Sequence, residues 1–501
     1  MASRFPFFGY WQKTTVVLWC LAIFCFVIAD TEIIALDPWS ELHKLGMGFV
    51  SPDFFATEYL LEALWQTVSF ALLGVVLGLA LGGPLALIYG SRWISVGCSV
   101  VRSIHELFWA LLFLQVFGLS PLTGILAIAL PYGATFARVF HDILLQAPRS
   151  TEETLPVGSD RVSRYFYGRI SHVLPTMVAY VRYRFECSLR SSAVLGFIGM
   201  PTIGFYLETA FRQGNYSEGA ALLIIFIILI GTISLWCRAK LIIFYLIAAL
   251  YWLPTIPDIN GSLLWRFVSQ DVLPPALQGL NRGHSFDWEM LSRLMSWASR
   301  ILSEQAIPGG IATLVLAISA AMMAHFLAVL FTSLSSNMLM GNIISAIMKM
   351  LLVIFRSVPE YIYAFIFMML LGPSMLPAML ALAIHNGALI AFLSTRQLAS
   401  IEVSDHYNKK IDGYCYDVLP RIYPNMMGLL FYRFEVILRE TAIFGMLGVA
   451  TLGFYIDSGF AEIHYSTALL LMGCTALLNI AVDIISRRLL NNHSASISCI
   501  Q

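Results

Sequence analysis

Apolar runs of about 20 residues recur along the whole chain and constrain its fold more than any other feature. A helix needs about that length to cross the hydrocarbon core of a bilayer. Backbone groups there must bond one another, because no water reaches them. Of the 501 residues, 58% are hydrophobic and only 12% charged, against about 25% charged in soluble domains. The sequence therefore predicts an all-α membrane protein.

About twelve transmembrane helices are predicted, six in each half. The spans lie near 14–30, 62–90, 95–118, 120–141, 177–200, 218–237, 240–254, 306–333, 341–371, 374–393, 426–450 and 466–486. Arginine and lysine gather in the loops 142–176 and 394–425, which fall on one side of the membrane if there are twelve spans. Basic loops face the cytoplasm, so we expect both termini to be cytoplasmic.

An internal repeat relates the two halves. Arg102-Ser-Ile-His-Glu106 matches Arg356-Ser-Val-Pro-Glu360 at an offset of 254 residues, and Tyr183-Arg-Phe-Glu186 matches Tyr432-Arg-Phe-Glu435 at 249. The second register also aligns three glycines of each copy, namely Gly196, Gly199 and Gly204 with Gly445, Gly448 and Gly453. Six spans per copy leave both copies in the same orientation, unlike an inverted repeat. We predict a first repeat at 1–238 and a second at 239–501.

Composition and motifs exclude several kinds of function. The formal net charge is zero, which gives no reason to expect a nucleic-acid partner. The eight cysteines form no C-x-x-C pair, so neither a metal site nor a disulfide framework is indicated. No G-x-x-x-x-G-K-[ST] motif is present, so the chain has no P-loop for ATP. We predict that it is not an enzyme, has no catalytic residues and binds no cofactor or metal.

The loop at 142–176 and the sequence around it contain the most informative motifs of the chain. In this loop Glu152 and Glu153 precede Gly158, and Leu174-Pro175 opens the next span. R-S-I-[PH]-E lies before the loop, and Y-R-F-E, A-x-L-G-x-x-G and I-G-F-Y lie after it. Together these motifs resemble the permeases of phosphonate-type ABC importers, and the resemblance covers about 91–238 in the first copy and about 345–488 in the second.

The resemblance implies the type I ABC importer permease fold, with two permease units fused in one chain. It implies import of phosphonate or a related phosphorus oxyanion by alternating access. The implied partners are two copies of a separate ABC ATPase, which would use ATP and Mg, and an extracytoplasmic substrate-binding protein. The implied location is the cell (inner) membrane.

The resemblance also implies that the cytoplasmic coupling loop docks the ATPase. The predicted coupling residues of the first copy are Glu152, Glu153, Gly158, Leu174 and Pro175, and those of the second are Leu419, Pro420 and Pro424. The second loop lacks a clear Glu-x5-Gly match, because Glu402 and Gly413 are eleven residues apart. Docking on that side is then asymmetric or weakened. A further departure is His105, which stands where the second copy has Pro359.

Charged residues inside the predicted spans are candidates for the substrate path. They are Arg184, Glu186, Arg190, Arg433, Glu435 and Arg439. Glu186 and Arg190 are four residues apart in the favourable order for an ion pair, and the second copy repeats this spacing. A charge at the bilayer centre costs at least ~2.5 kcal/mol, so these side chains either pair and fix helix packing or line the path. The six aligned glycines either allow close helix packing or bend a helix at an outer gate.

Two other classes of function stay open. An ion-coupled secondary transporter would use no ATPase, and many such folds also have twelve spans in two parallel halves. A non-transporting membrane protein that kept the permease scaffold would explain the degraded second loop. Co-purification without an ATPase favours the first alternative, and neighbouring genes for an ATPase and a binding protein argue against the second.

Overall fold

The structure, a computed structural model, describes residues 10–34, 37–147, 160, 163–255, 261–282, 287–398, 401 and 410–498. These residues are helical and include no β-strand. Among them, seven helices are long and apolar enough to cross a membrane, or nine if two bent helix pairs each count as one span. The predicted all-α, multi-pass membrane architecture is confirmed, whereas the count of about twelve spans is not.

The described residues of the first half form twelve α-helices. They are α1 (Tyr10–Ile28), α2 (Pro38–Val50), α3 (Leu60–Ile88), α4 (Arg92–Ser103), α5 (Glu106–Phe117), α6 (Pro121–Gln146), α7 (Ser171–Val194), α8 (Ile203–Arg212), α9 (Tyr216–Gly231), α10 (Ile233–Trp236), α11 (Ile242–Tyr251) and α12 (Gly261–Arg266). A π-helical turn, Arg164–Ile170, leads into α7, and a 3₁₀ turn, Leu195–Ile198, follows it.

The described residues of the second half form nine α-helices. They are α13 (Trp288–Ile301), α14 (Ile307–Leu334), α15 (Asn337–Ser357), α16 (Glu360–Leu371), α17 (Met375–Leu398), α18 (Lys410–Gly413), α19 (Leu419–Met446), α20 (Leu452–Ala461) and α21 (Tyr465–Ser498). A π-helical turn, Tyr414–Val418, precedes α19.

Two breaks interrupt the helices of the first half within apolar sequence. Helices α4 and α5 meet at 91°, and the long segment ending in Ile198 meets α8 at 54°. The R-S-I-H-E motif spans the first break, where Ile104 and His105 are extended. In the second copy Val358 and Pro359 are extended at the matching place between α15 and α16.

Small residues let the two longest neighbouring helices of each copy approach closely. A Cβ added at Gly78 would lie 3.0 Å from the backbone oxygen of Ala129, and one added at Gly82 would lie 2.3 Å from that of Gly133, so α3 packs directly on α6. In the second copy Ala324 and Ala328 of α14 are fully buried. Close packing of small residues is the usual way in which helices associate in lipid.

The chain folds into two compact units. One contains Met1–Ser51, Leu223–Gly231 and Pro274–Gln501, and the other contains Pro52–Leu222 and Thr232–Leu273. Each unit therefore combines segments from both predicted repeats. The repeat boundary near residue 238 stays a prediction, since the units are defined by packing and not by sequence similarity.

The first helix of each predicted repeat packs in the unit that holds most of the other repeat. Helix α1 lies against α14, and the Thr15 hydroxyl is 2.7 Å from the Tyr423 hydroxyl. In the other unit α11 lies against α3, where the rings of Trp65 and Trp252 stack at 5.1 Å. The same exchange thus occurs in both directions.

Candidate functional site

A glutamate begins the helix that follows the first break in each copy. Glu106 is the first residue of α5, and Glu360 is the first residue of α16. The partial positive charge of a helix N-terminus stabilises a carboxylate there. Their side chains are only 18% and 12% exposed, so each charge requires polar neighbours inside the protein.

Glu106 and the polar residues around it form what we call the first cluster: His105, Glu106, Tyr132, Arg184 and Ser191. The Ser191 hydroxyl donates to Glu106 Oε1 at 2.6 Å and lies 3.2 Å from the Tyr132 hydroxyl. The Arg184 guanidinium lies over the Tyr132 ring, 4.7 Å from its centroid. In this cluster one hydroxyl donates to the carboxylate, a second hydroxyl contacts the first, and the arginine stacks on an aromatic face.

In the second copy Glu360, His385, Asn386, Arg433 and Glu440 form the second cluster, and all of them except His385 align with members of the first cluster. Arg433 donates from Nε to Asn386 Oδ1 at 2.6 Å and from Nη2 to Glu440 Oε1 at 3.3 Å. The Asn386 amide donates to the other oxygen of Glu440, also at 3.3 Å. Arg433 and Glu440 are 7% and 8% exposed. The second cluster therefore holds its arginine in a buried ion pair.

Sequence reasoning identified the two arginines of the clusters but missed their neighbours. At the offsets of the repeat, Tyr132 aligns with Asn386 and Ser191 aligns with Glu440. The aligned pairs contain one signal, because Glu440 is a charged residue inside a span at a position where the first copy has Ser191. The signal is difficult to recognise, because the residues of one cluster align with the other copy at two different offsets.

The other four predicted path residues lie on the same helices as the arginines. Glu186, Arg190, Glu435 and Arg439 are all half-buried on α7 or α19. Arg190 donates from Nη2 to the Cys187 sulfur at 3.4 Å. Their role in the path and their i,i+4 pairing stay predictions.

The predicted glycines surround the second break and have the same geometry in both copies. Gly199 and Gly448 have φ angles of +90° and +94°, a conformation that only glycine adopts without strain. A Cβ at Gly204 would lie 1.9 Å from the Ala193 backbone oxygen, and one at Gly453 would lie 2.4 Å from that of Ala442. Gly196 and Gly445 would meet the following helix at 2.2 Å. The chain thus turns at one glycine and packs against itself at the others.

A threonine holds the short helix after this turn in each copy, and sequence reasoning missed it. The Ile203 amide donates to Thr67 Oγ1 at 2.9 Å, and the Leu452 amide donates to Thr313 Oγ1 at 3.0 Å. Both threonines are fully or almost fully buried. They align at an offset of 246 residues, outside the matched motifs that revealed the repeat.

Part of the predicted coupling loops lies within the described residues. Leu174 and Pro175 are exposed in the first turns of α7, and Pro424 lies at the matching place in α19. Leu419 and Pro420 open α19, where Leu419 is half-buried and Pro420 is exposed. Glu152, Glu153, Gly158 and Glu402 lie outside the described residues. ATPase docking at these positions stays a prediction.

Comparison with known proteins identifies relatives over most of the chain. A phosphate-import permease protein, PhnE, of Mycolicibacterium smegmatis is 24% identical over 446 residues, which are 80% of this chain and 80% of that protein. The phosphite transport system permease protein PtxC of Stutzerimonas stutzeri is 21% identical over 242 residues, which are 45% of this chain but 87% of that protein. A relative from Escherichia coli strain K12, named for a cryptic phosphonate transport system, is 29% identical over 17% of this chain and 71% of its own length.

The coverage of these relatives fits the fused architecture. One relative matches four fifths of this chain, whereas the phosphite permease is almost fully covered by less than half of it. No family model matches the chain, and no solved structure matches it. The resemblance drawn from the motifs is confirmed: the chain is similar to transport permeases, and its described residues include several helices long and apolar enough to cross a membrane.

Proposed function

We propose that this chain is the complete membrane portion of an ATP-driven importer of phosphonate or a related phosphorus oxyanion. The observation that carries the proposal is the similarity to a phosphate-import permease over 80% of both chains. Relatives named for phosphite and phosphonate transport support the same substrate class. The chain lies in the bacterial inner membrane with both termini in the cytoplasm, receives its anion from a binding protein outside, and engages two ATPase subunits inside.

Transport proceeds by alternating access. ATP and Mg bind to the partner ATPases and not to this chain. Closure of the ATPases moves the loops at 142–176 and 394–425, which act as levers on the helices that follow. The turns at Gly199 and Gly448 are the points where a long helix gives way to a short one, and they form the outer gates. Their close glycine packing makes each gate a rigid element that moves as a whole.

Arg184 supplies the positive charge that balances the anion. Stacking on Tyr132 engages the face of the guanidinium, whereas phosphorus oxyanions bind to the N–H groups along its edge. The contact with the Tyr132 ring therefore does not use the edge to which an oxyanion would bind. Arg433 differs, because its Nε and Nη2 donate to Asn386 and Glu440. An anion would have to displace a buried carboxylate in order to reach it, so Arg433 fixes helix packing.

Uptake by cells tests the importer assignment. The wild-type chain, expressed with its ATPase and binding protein, is expected to accumulate radiolabelled phosphite, methylphosphonate or phosphate in an ATP-dependent manner. Glu152→Ala and Gly158→Pro are expected to abolish uptake without removing the protein from the membrane, because they break the coupling loop. Immunoblots of membrane fractions supply the control for protein level.

Three outcomes, two from uptake and one from calorimetry on the binding protein, would contradict parts of the proposal. Unchanged uptake by both variants rejects the coupling-loop assignment. Uptake by wild type that requires an ion gradient and no ATPase indicates a secondary transporter. A binding protein that binds none of the three phosphorus oxyanions in calorimetry, with sulfate as the comparison, rejects the substrate class while leaving the permease assignment in place.

A further inference from the structure

Histidine and proline exchange places between the two copies. At the first break the first copy has His105 and the second has Pro359. In the next helix the first copy has Pro131 and the second has His385. Both pairs align at the offset of 254 residues that relates this part of the repeat. Each copy thus has one histidine and one proline, at opposite positions.

The exchange leaves an imidazole beside the same glutamate in both copies. Nε2 of His105 lies 3.9 Å from Glu106 Oε2, and Nε2 of His385 lies 3.8 Å from Glu360 Oε2. Both histidines are buried, at 3% and 1% exposure. The two Nε2–Oε2 distances are nearly equal, although His105 directly precedes its glutamate in the chain and His385 lies on a different helix from Glu360.

The remaining contacts of the two rings differ. Nδ1 of His105 accepts from the Leu107 amide at 3.1 Å, so this nitrogen carries no proton. Nδ1 of His385 lies 2.9 Å from the Val358 carbonyl oxygen. A carbonyl oxygen only accepts, so this nitrogen does carry a proton. Nδ1 therefore accepts a hydrogen bond in His105 and donates one in His385, while Nε2 approaches the carboxylate in both copies.

The backbone allows either residue at the break. His105 has φ −65° and ψ 144°, and Pro359 has φ −61° and ψ 147°. A proline ring fixes φ near −65°, so the same conformation suits both side chains. The other position lies inside a helix in both copies, and α6 already holds Pro131 there. Local geometry therefore does not force the histidine to one position.

We propose that each half needs one imidazole against the glutamate of its first break, and that His105 and His385 are equivalent positioning residues for transport. The inference rests on the proposed transport function. Each imidazole bonds the backbone of its break, His105 at the Leu107 amide and His385 at the Val358 carbonyl. Each ring thereby holds the break in the conformation that the transport cycle requires, without itself touching the anion.

The test moves the imidazole between the two positions. Pro359→His combined with His385→Pro gives the second copy the arrangement of the first, and this variant is expected to retain uptake within about twofold of wild type. His385→Gln alone is expected to lower the maximal uptake rate about tenfold with an unchanged KM, which corresponds to a loss of ~1.4 kcal/mol. Adding Pro359→His to His385→Gln is expected to restore the rate.

The first copy offers a matched control. His105→Gln is expected to lower the maximal rate, and His105→Gln with Pro131→His is expected to restore it. Each uptake rate is divided by the amount of protein in the membrane, so that poor accumulation of a variant does not count as slow transport. The double variant then shows whether the imidazole at the other position restores the rate. A purely structural role for His385 predicts no rescue from position 359.

The outcomes separate this inference from the proposed function. If wild type takes up a phosphorus oxyanion and neither exchange restores transport, the inference is overturned and the importer assignment stands. A KM that rises while the maximal rate is unchanged places the imidazoles in substrate binding and also overturns it. If wild type takes up none of the three oxyanions, the proposed function fails, and the inference fails with it.

Discussion

The first and second clusters hold equivalent arginines in unlike ways. Arg184 stacks on Tyr132, and the Ser191 hydroxyl of the same copy donates to Glu106. Arg433 is bonded to Asn386 and to the carboxylate of Glu440. One duplicated framework therefore carries a stacked arginine in one half and a buried ion pair in the other. The outer gates of the two copies, in contrast, have nearly the same geometry.

Under the proposed function, this difference gives the two halves different roles. An arginine in a buried ion pair has little tendency to bind an entering anion, because its partner carboxylate already neutralises its charge and offsets the cost of removing it from water. Arg184 contacts Tyr132 through the face of its guanidinium, and the edge of a guanidinium has the geometry that binds an oxyanion. The proposed function therefore assigns recognition of the anion's charge to the first half and the fixing of helix packing to the second.

Loss of the Glu440 charge is the largest expected effect and the strongest way to break the comparison. Glu440→Gln keeps the shape of the side chain but leaves Arg433 buried without its counter-charge. We expect it to lower the free energy of unfolding by about 3 kcal/mol or more, as is usual when one partner of a buried pair is removed. The unfolding midpoint of the purified protein in detergent measures this change.

Ser191→Ala at the equivalent position is the matched variant. It removes one hydroxyl that donates to Glu106, and a hydrogen bond to a charged group contributes about 1.5–3 kcal/mol. The smaller loss expected here sets the scale for Glu440→Gln. Equal losses for the two variants would show that the ion pair adds nothing beyond a hydrogen bond, and the division of roles would then be wrong.

Glycine packing at the gates gives the next largest effect and asks whether the copies differ there. Gly204→Ala would place a Cβ 1.9 Å from the Ala193 oxygen, and Gly453→Ala would place one 2.4 Å from the Ala442 oxygen. Both distances require the backbone to move. Overpacking costs about 1–3 kcal/mol, and we expect the larger loss at Gly204 because its contact is closer.

Gly97→Ala is the control for these two variants. Gly97 lies in α4, and no heavy atom comes within 4 Å of its added Cβ. Alanine at such a helical position is neutral or stabilising, by about 0.4–1 kcal/mol. Detergent unfolding midpoints of the three variants provide the comparison. A loss at Gly97 as large as that at Gly204 would mean that close packing is not the cause.

The sequence predicts the framework of the fold but not the composition of its clusters. Apolar runs indicate spans, and the R-S-x-x-E motif lies where the helix breaks because its glutamate begins a new helix in both copies. Tyr132 and Ser191 are 59 residues apart, and their counterparts align at two different offsets, so no linear pattern joins them. The pairing of α1 with α14 is equally hidden, since a helix's apolar surface does not specify which neighbour covers it.

Removal of the hydroxyl of Thr67 or Thr313, the gate threonines, is expected to cause the smallest loss of stability. It tests whether the two copies are alike at the gates while they differ at the clusters. Thr67→Val and Thr313→Val each remove an acceptor for the first amide of a short helix, at 2.9 and 3.0 Å. Each is expected to cost about 1 kcal/mol, and the two losses should be equal because the contacts match. Hydrogen exchange of the Ile203 and Leu452 amides measures the opening of each helix.

Threonine to serine at the same two positions keeps the hydroxyl and is expected to preserve protection of both amides. Equal losses in the valine variants, together with unequal losses at Ser191 and Glu440, place the asymmetry in the clusters alone. Unequal losses at the threonines would extend the asymmetry to the gates. The equal geometry of the two breaks would then conceal different stabilities, and the second half could not be regarded as the one that only fixes packing.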